Sequence, residues 1–373
     1  MINYRYFLQL RDVYSFSFNI DLFVFFNKNS KQIICLDKRL KNSWSYKFSN
    51  NAVVRVYNDK IYIADNYDEE NILLDLEGKK IENLSESAIS IDFHSSNLEN
   101  RVKIFYGDSS LALYDLTTQK VIWTTSFKVN VDGILNPEMI FCVLKGGNKT
   151  IISLDINTGS LLWQFSVSEL GKYTWSDGVK THREEGKVER IIGVFGEVLV
   201  CVITGGGERV RGNTQLIGLD TSTGNLLWQI EQFIGTPNRQ LPATATLMPD
   251  AQNKNLVGFQ SGDFIEIDPQ VGKVLRYSQI NLVYEQHTLT GLMDSFSLQG
   301  DHLYFRSSVS SMGGFPTAIG AFNYKTETIE WLYVFEEFAK EGKFIPINQP
   351  KAEGNRVYAL DSGNTLHIFE REY

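Results

Sequence analysis

The amino-acid sequence predicts an all-β fold, an eight-bladed β-propeller of four-stranded antiparallel blades. Three observations predict it: a recurring aspartate–turn–tryptophan phrase, short apolar runs around each copy, and a composition with 13% aromatic residues, 29 glycines and only 8 prolines. Aromatic residues favour strands and glycines favour the turns between them. We expect all 373 residues, 1–373, to form a single domain, because the repeats would share one ring.

The recurring phrase begins at an aspartate that ends an apolar run. Asp155 precedes Trp163 and Asp220 precedes Trp228, each by eight residues and through a Thr-Gly turn. The aspartate can accept hydrogen bonds from the turn backbone, and the glycine can adopt a positive φ. We predict that the tryptophan then packs between neighbouring blades. Further copies, some with a shorter turn or without the tryptophan, begin at Asp37, Asp75, Asp115, Asp268 and Asn323.

Two more apolar runs precede the phrase in the best-defined copies, so that one repeat contains four short strands. The end of the chain has only three runs, 344–350, 356–361 and 365–370. The N-terminal run 2–10 is predicted to be the missing fourth strand, which closes the ring without a free sheet edge. The blade count is then eight, with seven as the alternative if the weakly patterned second copy is not a blade.

Two segments carry a resemblance to a known family. Residues 154–165, Leu-Asp-Ile-Asn-Thr-Gly-Ser-Leu-Leu-Trp-Gln-Phe, and residues 219–230, Leu-Asp-Thr-Ser-Thr-Gly-Asn-Leu-Leu-Trp-Gln-Ile, resemble the pyrroloquinoline-quinone-type (PQQ-like) propeller repeat. Proteins with this repeat include quinoprotein alcohol dehydrogenases and the propeller lipoprotein of the bacterial outer-membrane assembly machine. In length and blade count, this chain is more similar to the second group.

The resemblance implies either an enzyme or a protein-binding module. Quinoprotein dehydrogenases typically have adjacent disulfide-bonded cysteines and calcium ligands, whereas Cys35, Cys142 and Cys201 are far apart and no Asp-x-Asp-x-Asp loop occurs. The five histidines also lack metal-ligand spacing. We therefore predict no catalytic residue, no cofactor and no metal site. The alternative is an enzyme or small-ligand binder that uses the central channel, such as a quinoprotein-like oxidoreductase.

The net charge and the hydropathy pattern indicate which classes of partner and which cellular compartment to expect. The net charge of −8 argues against nucleic acid as a partner. No apolar run approaches the ~18 residues of a membrane span, and the N-terminus lacks the pattern of a signal peptide. We expect a monomeric, cytoplasmic propeller with reduced, buried cysteines, or a periplasmic one if a signal peptide has been removed.

Uneven loops predict a non-enzymatic, protein-binding function. In an up-and-down blade, the connections between blades and those from the second to the third strand emerge on one face. All the long connections belong to this class and run from the end of blade four to blade eight, which places the predicted site over blades five to eight. They are 167–188, 205–213, 232–242, 281–291, 309–316 and 336–343. Because loops on rigid scaffolds carry function, this face is predicted to bind a protein partner, as a scaffold or as an inhibitor or immunity-type module.

The candidate partner-binding residues are the aromatic, arginine and methionine side chains of these loops, since Trp, Tyr and Arg commonly anchor interfaces. They are Tyr173, Trp175, Arg183, Arg209, Arg211, Arg239, Met312 and Phe315. Trp175 is the only tryptophan outside the packing position of the repeat. Two alternatives stay open: Trp175 packs its own loop onto the propeller, and the arginines are solvated charges.

Overall fold

The structure, a computed structural model, consists almost entirely of antiparallel strands that follow one another around a ring. It describes residues 4–19, 21–48, 51–57, 60–65, 71–84, 88–92, 101–106, 110–115, 117–118, 120–176, 181–205, 213–230, 247–250, 252–260, 263–346 and 350–372. The first strand, β1 (Tyr4–Leu10), belongs to the last blade.

Each blade is a sheet whose strands pair with their neighbours in chain order. Blade one contains β2 (Val13–Phe18), β3 (Leu22–Asn27), β4 (Gln32–Asp37) and β5 (Asn42–Lys47). Blade two contains β6 (Ala52–Tyr57), β7 (Lys60–Asp65), β8 (Asn71–Asp75) and β9 (Lys80–Leu84). Blade three contains β10 (Ala88–Asp92), β11 (Arg101–Tyr106), β12 (Ser110–Asp115), β13 (Lys120–Leu135), β14 (Met139–Leu144), β15 (Thr150–Asp155) and β16 (Leu161–Ser166).

A separate hairpin of β17 (Lys172–Ser176) and β18 (Thr181–Glu185) precedes blade four. Blade four contains β19 (Lys187–Phe195), β20 (Val198–Gly205), β21 (Asn213–Asp220) and β22 (Leu226–Ile230). Blade five contains β23 (Met248–Asp250), β24 (Asn255–Gln260), β25 (Asp263–Asp268) and β26 (Lys273–Gln279).

The last two blades complete the ring. Blade six contains β27 (Val283–Tyr284), β28 (His287–Gln299), β29 (His302–Val309), β30 (Ala318–Asn323) and β31 (Thr328–Val334). Blade seven contains β32 (Lys351–Glu353), β33 (Arg356–Leu360), β34 (Leu366–Arg371) and β1. The helices of the described residues are α1 (Phe338–Glu341) and two 3₁₀ turns, Val167–Leu170 and Ser310–Met312.

The prediction of eight blades is wrong, and the alternative count of seven matches the sheets that the described residues form. The third and fourth sequence repeats lie in one seven-stranded sheet. The cause is the continuous 16-residue strand β13, which pairs with β12 along its first half and with β14 along its second. The weakly patterned second repeat, by contrast, forms a complete blade, blade two.

Ring closure by the N-terminus is confirmed. Strand β1 pairs with β34 from Tyr4–Arg371 to Leu10–Leu366 and supplies the fourth strand of blade seven. Of the predicted strand 344–350, residues 347–349 lie outside the described residues and the others are not in a strand. The first strand of this blade is β32. Pro346 and Pro350 interrupt the predicted segment, and a proline has no N–H for a sheet ladder.

The core is a series of apolar clusters, each shared by neighbouring repeats. Phe141 of β14 and Leu199 of β20 belong to one cluster, between blades three and four. Phe259 and Phe305 belong to the cluster between blades five and six. Because each blade buries its faces against two neighbours, the whole ring depends on these contacts.

The predicted packing role of the repeat tryptophans is confirmed. Trp163 Nε1 donates a hydrogen bond of 2.7 Å to the carbonyl of Thr221, in the turn of the following repeat. Asp220 holds that turn, because its Oδ1 accepts from the backbone N–H of Thr223 at 2.8 Å. Gly224 lies against the indole, so close that a Cβ there would be 2.6 Å from Cε3. The same donor, carbonyl and glycine recur in Trp44–Leu76–Gly78, Trp123–Ile156–Gly159 and Trp228–Pro269–Gly272.

Candidate functional site

The two faces of the ring carry different connections. Antiparallel strands in chain order place the second-to-third connections and the blade-to-blade connections on one face, which we call the loop face. Its described parts include the β17–β18 hairpin and the segments 310–317, 335–346 and 361–365. The opposite face, which we call the turn face, carries short turns such as 38–41, 221–225 and 269–272.

The β17–β18 hairpin contains three of the predicted site residues. Its register places Tyr173 opposite Glu184, Trp175 opposite His182, and Thr174 opposite Arg183. The Arg183 side chain is exposed.

The base of this hairpin is tied to the ring. Lys149 Nζ lies 2.8 Å from Oε2 of Glu185, and this hydrogen bond lowers the pKa of the Glu185 carboxyl. The 3₁₀ turn before the hairpin begins at Ser166, whose backbone N–H donates to Oε1 of Glu169 at 3.1 Å. Capping of this kind stabilises a helical turn, so the insertion leaves the ring in a defined direction.

Segment 310–317 holds the other two described site residues. Met312 is half-buried against the core between blades five and six, and its sulfur accepts from Thr317 Oγ1 at 3.8 Å. Met312 therefore anchors this loop. Phe315 is 68% exposed and stacks on Phe344, with ring centroids 6.0 Å apart.

The two long connections of blade six form one continuous surface. Besides the stacking of Phe315 on Phe344, the backbone N–H of Ile345 donates to the carbonyl of Pro316 at 2.8 Å. The hairpin residues lie instead in the connection from blade three to blade four. Arg209, Arg211 and Arg239 lie outside the residues that the structure describes.

A cleft on the loop face was missed by sequence reasoning. It has a volume of about 720 Å³ and lies where β31 and the segment after it meet β1 and β34. Aromatic side chains and carboxylates dominate its lining. They are Tyr6, Tyr333, Phe335 and Phe338, and Asp12, Glu336, Glu337, Glu341 and Asp361.

A hydrogen-bonded network stands at the floor of this cleft. The Tyr6 hydroxyl lies 2.8 Å from Nδ1 of His367, and Nε2 of His367 lies 3.2 Å from Oδ2 of Asp361. The Asp361 side chain is 0% exposed, and its Oδ1 accepts from the backbone N–H of Gly363 and of Thr365, each at 2.8 Å.

The pKa shifts of this network follow from burial and hydrogen bonding. Burial acts to raise the pKa of Asp361, but hydrogen bonds from His367 and the Thr365 backbone outweigh it and hold that pKa below its usual value. Burial, with nearby negative charge, raises the pKa of Tyr6 to about 12. The Asp361 carboxylate is thus ionised and the Tyr6 phenol neutral at neutral pH.

The described residues, which include all three cysteines, contain neither a cluster of metal ligands nor a helix that could span a membrane. Within them, no group of three or more His, Cys, Asp or Glu side chains could hold a metal ion. No helix in the described part of the chain is long and apolar enough to cross a membrane. Cys35, Cys142 and Cys201 are buried and form no disulfide, as predicted.

The repeat and the ring of antiparallel sheets define the class of the protein, a PQQ-like β-propeller. Residues 107–371 match the family model described as outer membrane protein assembly factor BamB. The chain belongs to this family. No curated protein sequence matches it significantly.

Solved structures show the same fold at low sequence identity. The chain is similar to BamB from Moraxella catarrhalis, with 14% identity and a TM-score of 0.58, over 99% of this chain and 100% of that one. It is also similar to the C-terminal WD40 domain of Sif2, with 9% identity and a TM-score of 0.62, over 98% of each chain. Saccharomyces cerevisiae Sqt1 has 12% identity and a TM-score of 0.60, over 99% of this chain and 98% of that one.

Proposed function

We propose that this chain is a non-enzymatic, protein-binding propeller that serves as an assembly scaffold and binds its partner on the loop face. The observation that carries the proposal is the asymmetry of the ring. Long connections on the loop face join into one surface around Phe315 and Phe344, whereas the turn-face connections that lie wholly within the described residues, such as 38–41, 221–225 and 269–272, are short. Membership in a family described as an assembly factor supports the same function.

The exposed side chains of the loop face are of types that commonly bind other proteins. Phe315 is the most exposed of the large apolar side chains that the structure describes, and Arg183 is exposed on the hairpin. Aromatic and arginine side chains are enriched among the residues that dominate interface energies. Large apolar side chains left in water are a mark of interaction sites when they continue into a neighbouring apolar surface, as Phe315 does with Phe344.

The loop face is also held in place before a partner arrives. Met312 anchors one loop in the core, Ile345 hydrogen-bonds to Pro316, and Lys149 ties down the hairpin through Glu185. A surface already held in shape loses less conformational entropy on binding. The loops therefore offer a defined surface for a partner.

Affinity capture from the source organism, with identification and titration of the captured protein, tests the proposal. The loop-face variants are Arg183→Ala with Phe315→Ala and, from the predicted residues, Trp175→Ala with Arg209→Ala. Loss of an anchor side chain costs about 2 kcal/mol or more, so we expect at least one of the two variants to bind about 30-fold more weakly.

A matched control on the turn face separates local from general effects. Arg39 and Val271 are exposed there, and Val271 is 60% exposed. The variant Arg39→Ala with Val271→Ala should retain full binding, and all variants should keep the far-ultraviolet circular dichroism of the parent. Equal binding by both loop-face variants and the parent would overturn the proposal.

A further inference from the structure

We propose that the cleft between β31, β1 and β34 receives a basic side chain, lysine or arginine, from the bound protein partner. This inference rests on the proposed function and names the chemistry of the partner segment. The cleft volume of about 720 Å³ lies within the range of roughly 300–1,000 Å³ typical of ligand pockets. A long side chain and part of its backbone fit such a space.

The charge of the lining selects for a cation. Five carboxylates line the cleft against two cationic side chains, Arg11 and Lys343. Lys343 is already engaged, because its Nζ lies 2.7 Å from Oε2 of Glu341. An anionic ligand would meet a net negative surface and be repelled.

Two of the carboxylates are free to pair with a ligand. Glu337 is within 3.5 Å of Lys340, and Asp361 is hydrogen-bonded to His367. Asp12 and Glu336 form no ion pair with any residue that the structure describes. A guanidinium or ammonium group in the cleft would supply the missing charge partner.

Aromatic rings add a second feature that favours cations. Tyr6 and Tyr333 both line the cleft, with ring centroids 5.8 Å apart and planes tilted by 34°. Tyr6 is 38% exposed. The face of an aromatic ring attracts lysine and arginine head groups, which together with the nearby carboxylates makes a basic side chain the best-matched occupant.

The network at the floor holds one of these rings in position. His367 contacts the Tyr6 hydroxyl at 2.8 Å and is itself fixed by the fully buried Asp361. The Tyr6 hydroxyl also donates to Oε1 of Gln9 at 3.1 Å. The ring is therefore ordered without a ligand, and little entropy is lost when a cation binds against it.

Short peptides test this proposal directly. The probe is acetyl-Gly-Arg-Gly-amide, and the matched probe has citrulline, the neutral analogue of arginine, in its place. Nuclear magnetic resonance of the histidine rings reports binding, with His367 assigned through its substitution. We expect a saturable shift of the His367 signals with the arginine peptide, weakened by added salt, and none with the citrulline peptide.

The variant Asp12→Asn with Glu336→Gln removes the two free carboxylates and should weaken arginine-peptide binding at least about tenfold. Asn tolerates the positive φ of 61° at Asp12. The control Glu197→Gln with Glu353→Gln makes the same charge change at exposed positions of the turn face, in the turn before β20 and at the end of β32, and should leave binding unchanged. Equal weakening by both variants, binding of the citrulline peptide, or absence of a His367 shift would each overturn the proposal.

Partner capture distinguishes failure of this inference from failure of the proposed function. If the arginine peptide does not bind while the loop-face variants still lose the partner, the cleft proposal fails and the scaffold function stands. If the loop-face variants keep the partner, the scaffold function fails whatever the peptide does. If the Asp12→Asn, Glu336→Gln variant loses the partner and its control still binds it, both the cleft proposal and the scaffold function are supported.

Discussion

Substituting Gly224 by alanine tests the contact that joins neighbouring repeats. Gly224 has a φ of +74°, and an alanine Cβ would lie 2.6 Å from Cε3 of Trp163. The indole cannot simply move away, because Trp163 is 8% exposed and its Nε1 donates to the carbonyl of Thr221 at 2.7 Å. We therefore expect Gly224→Ala to destabilise the ring through both backbone strain and steric overlap.

The structure allows the two contributions to be separated. A non-glycine residue in the left-handed region costs about 1–2 kcal/mol, and overpacking of a filled site costs about 1–3 kcal/mol. Gly224→Ala should then lower the free energy of unfolding by about 2–5 kcal/mol. Gly354 has a φ of +59° with nothing within 4 Å of a Cβ. Gly354→Ala should therefore lower the free energy of unfolding only by the backbone-strain contribution.

Urea unfolding followed by circular dichroism measures these costs. In a Trp163→Leu background the indole is absent, so the added cost of Gly224→Ala should fall to that of Gly354→Ala, a coupling of about 1–3 kcal/mol. Equal costs for the two alanine variants in the parent, or an unchanged cost without the indole, would refute the packing argument.

Three further predictions concern the ring as a whole. Deleting residues 1–10 removes β1 and exposes the edge of β34, so the shortened chain should be less stable and self-associate on light scattering; a stable monomer would contradict ring closure. Burial raises the pKa of Cys35 to about 11, and all three cysteines are buried. A disulfide reagent at pH 8 should therefore label no thiol in the native protein and three thiols per chain after denaturation. Labelling of the native protein would show an accessible thiol. Hydrogen bonds from Ser222 and Thr223 lower the pKa of Asp220, so the stabilisation by its carboxylate is present above the unfolded pKa and is lost as the pH falls through the folded pKa. Asp220→Asn should therefore have a lower free energy of unfolding than the parent at pH 7, and this difference should disappear in acid. A difference that stays constant with pH would contradict this.

Local sequence patterns were sufficient to predict the repeat and the position of its tryptophans. The phrase from Asp220 to Trp228 lies within one repeat, and turn hydrogen bonding and strand alternation act over that distance. The second role of Gly224, as a surface for Trp163 of the preceding repeat, was not predicted. That contact joins residues 61 positions apart, and no local rule relates them.

The blade count failed for a different reason. Between Lys120 and Leu135 the chain has no proline, and its one turn signal, Asp132-Gly133, does not end the strand, which continues from one repeat into the next. A count of repeat phrases cannot detect this fusion of two repeats into one sheet.

The cleft could not be predicted because its residues come from three distant parts of the chain. Tyr6 lies near the N-terminus, Glu336 follows blade six, and His367 lies in the last strand. Only closure of the ring by β1 brings Tyr6 within hydrogen-bonding distance of His367. In the sequence, Glu336 is one of two adjacent glutamates in a polar loop, without any sign of the cavity beside it.

Hydrogen exchange of the partner complex tests most directly whether the loop face binds protein. We expect slowed exchange on binding in residues 181–185, 310–317 and 335–346, which belong to the described part of the loop face. Exchange in the turn-face segments 221–225 and 269–272 should be unchanged. Protection confined to the turn face, with the loop face exchanging as in the free protein, would contradict binding of the partner on the loop face.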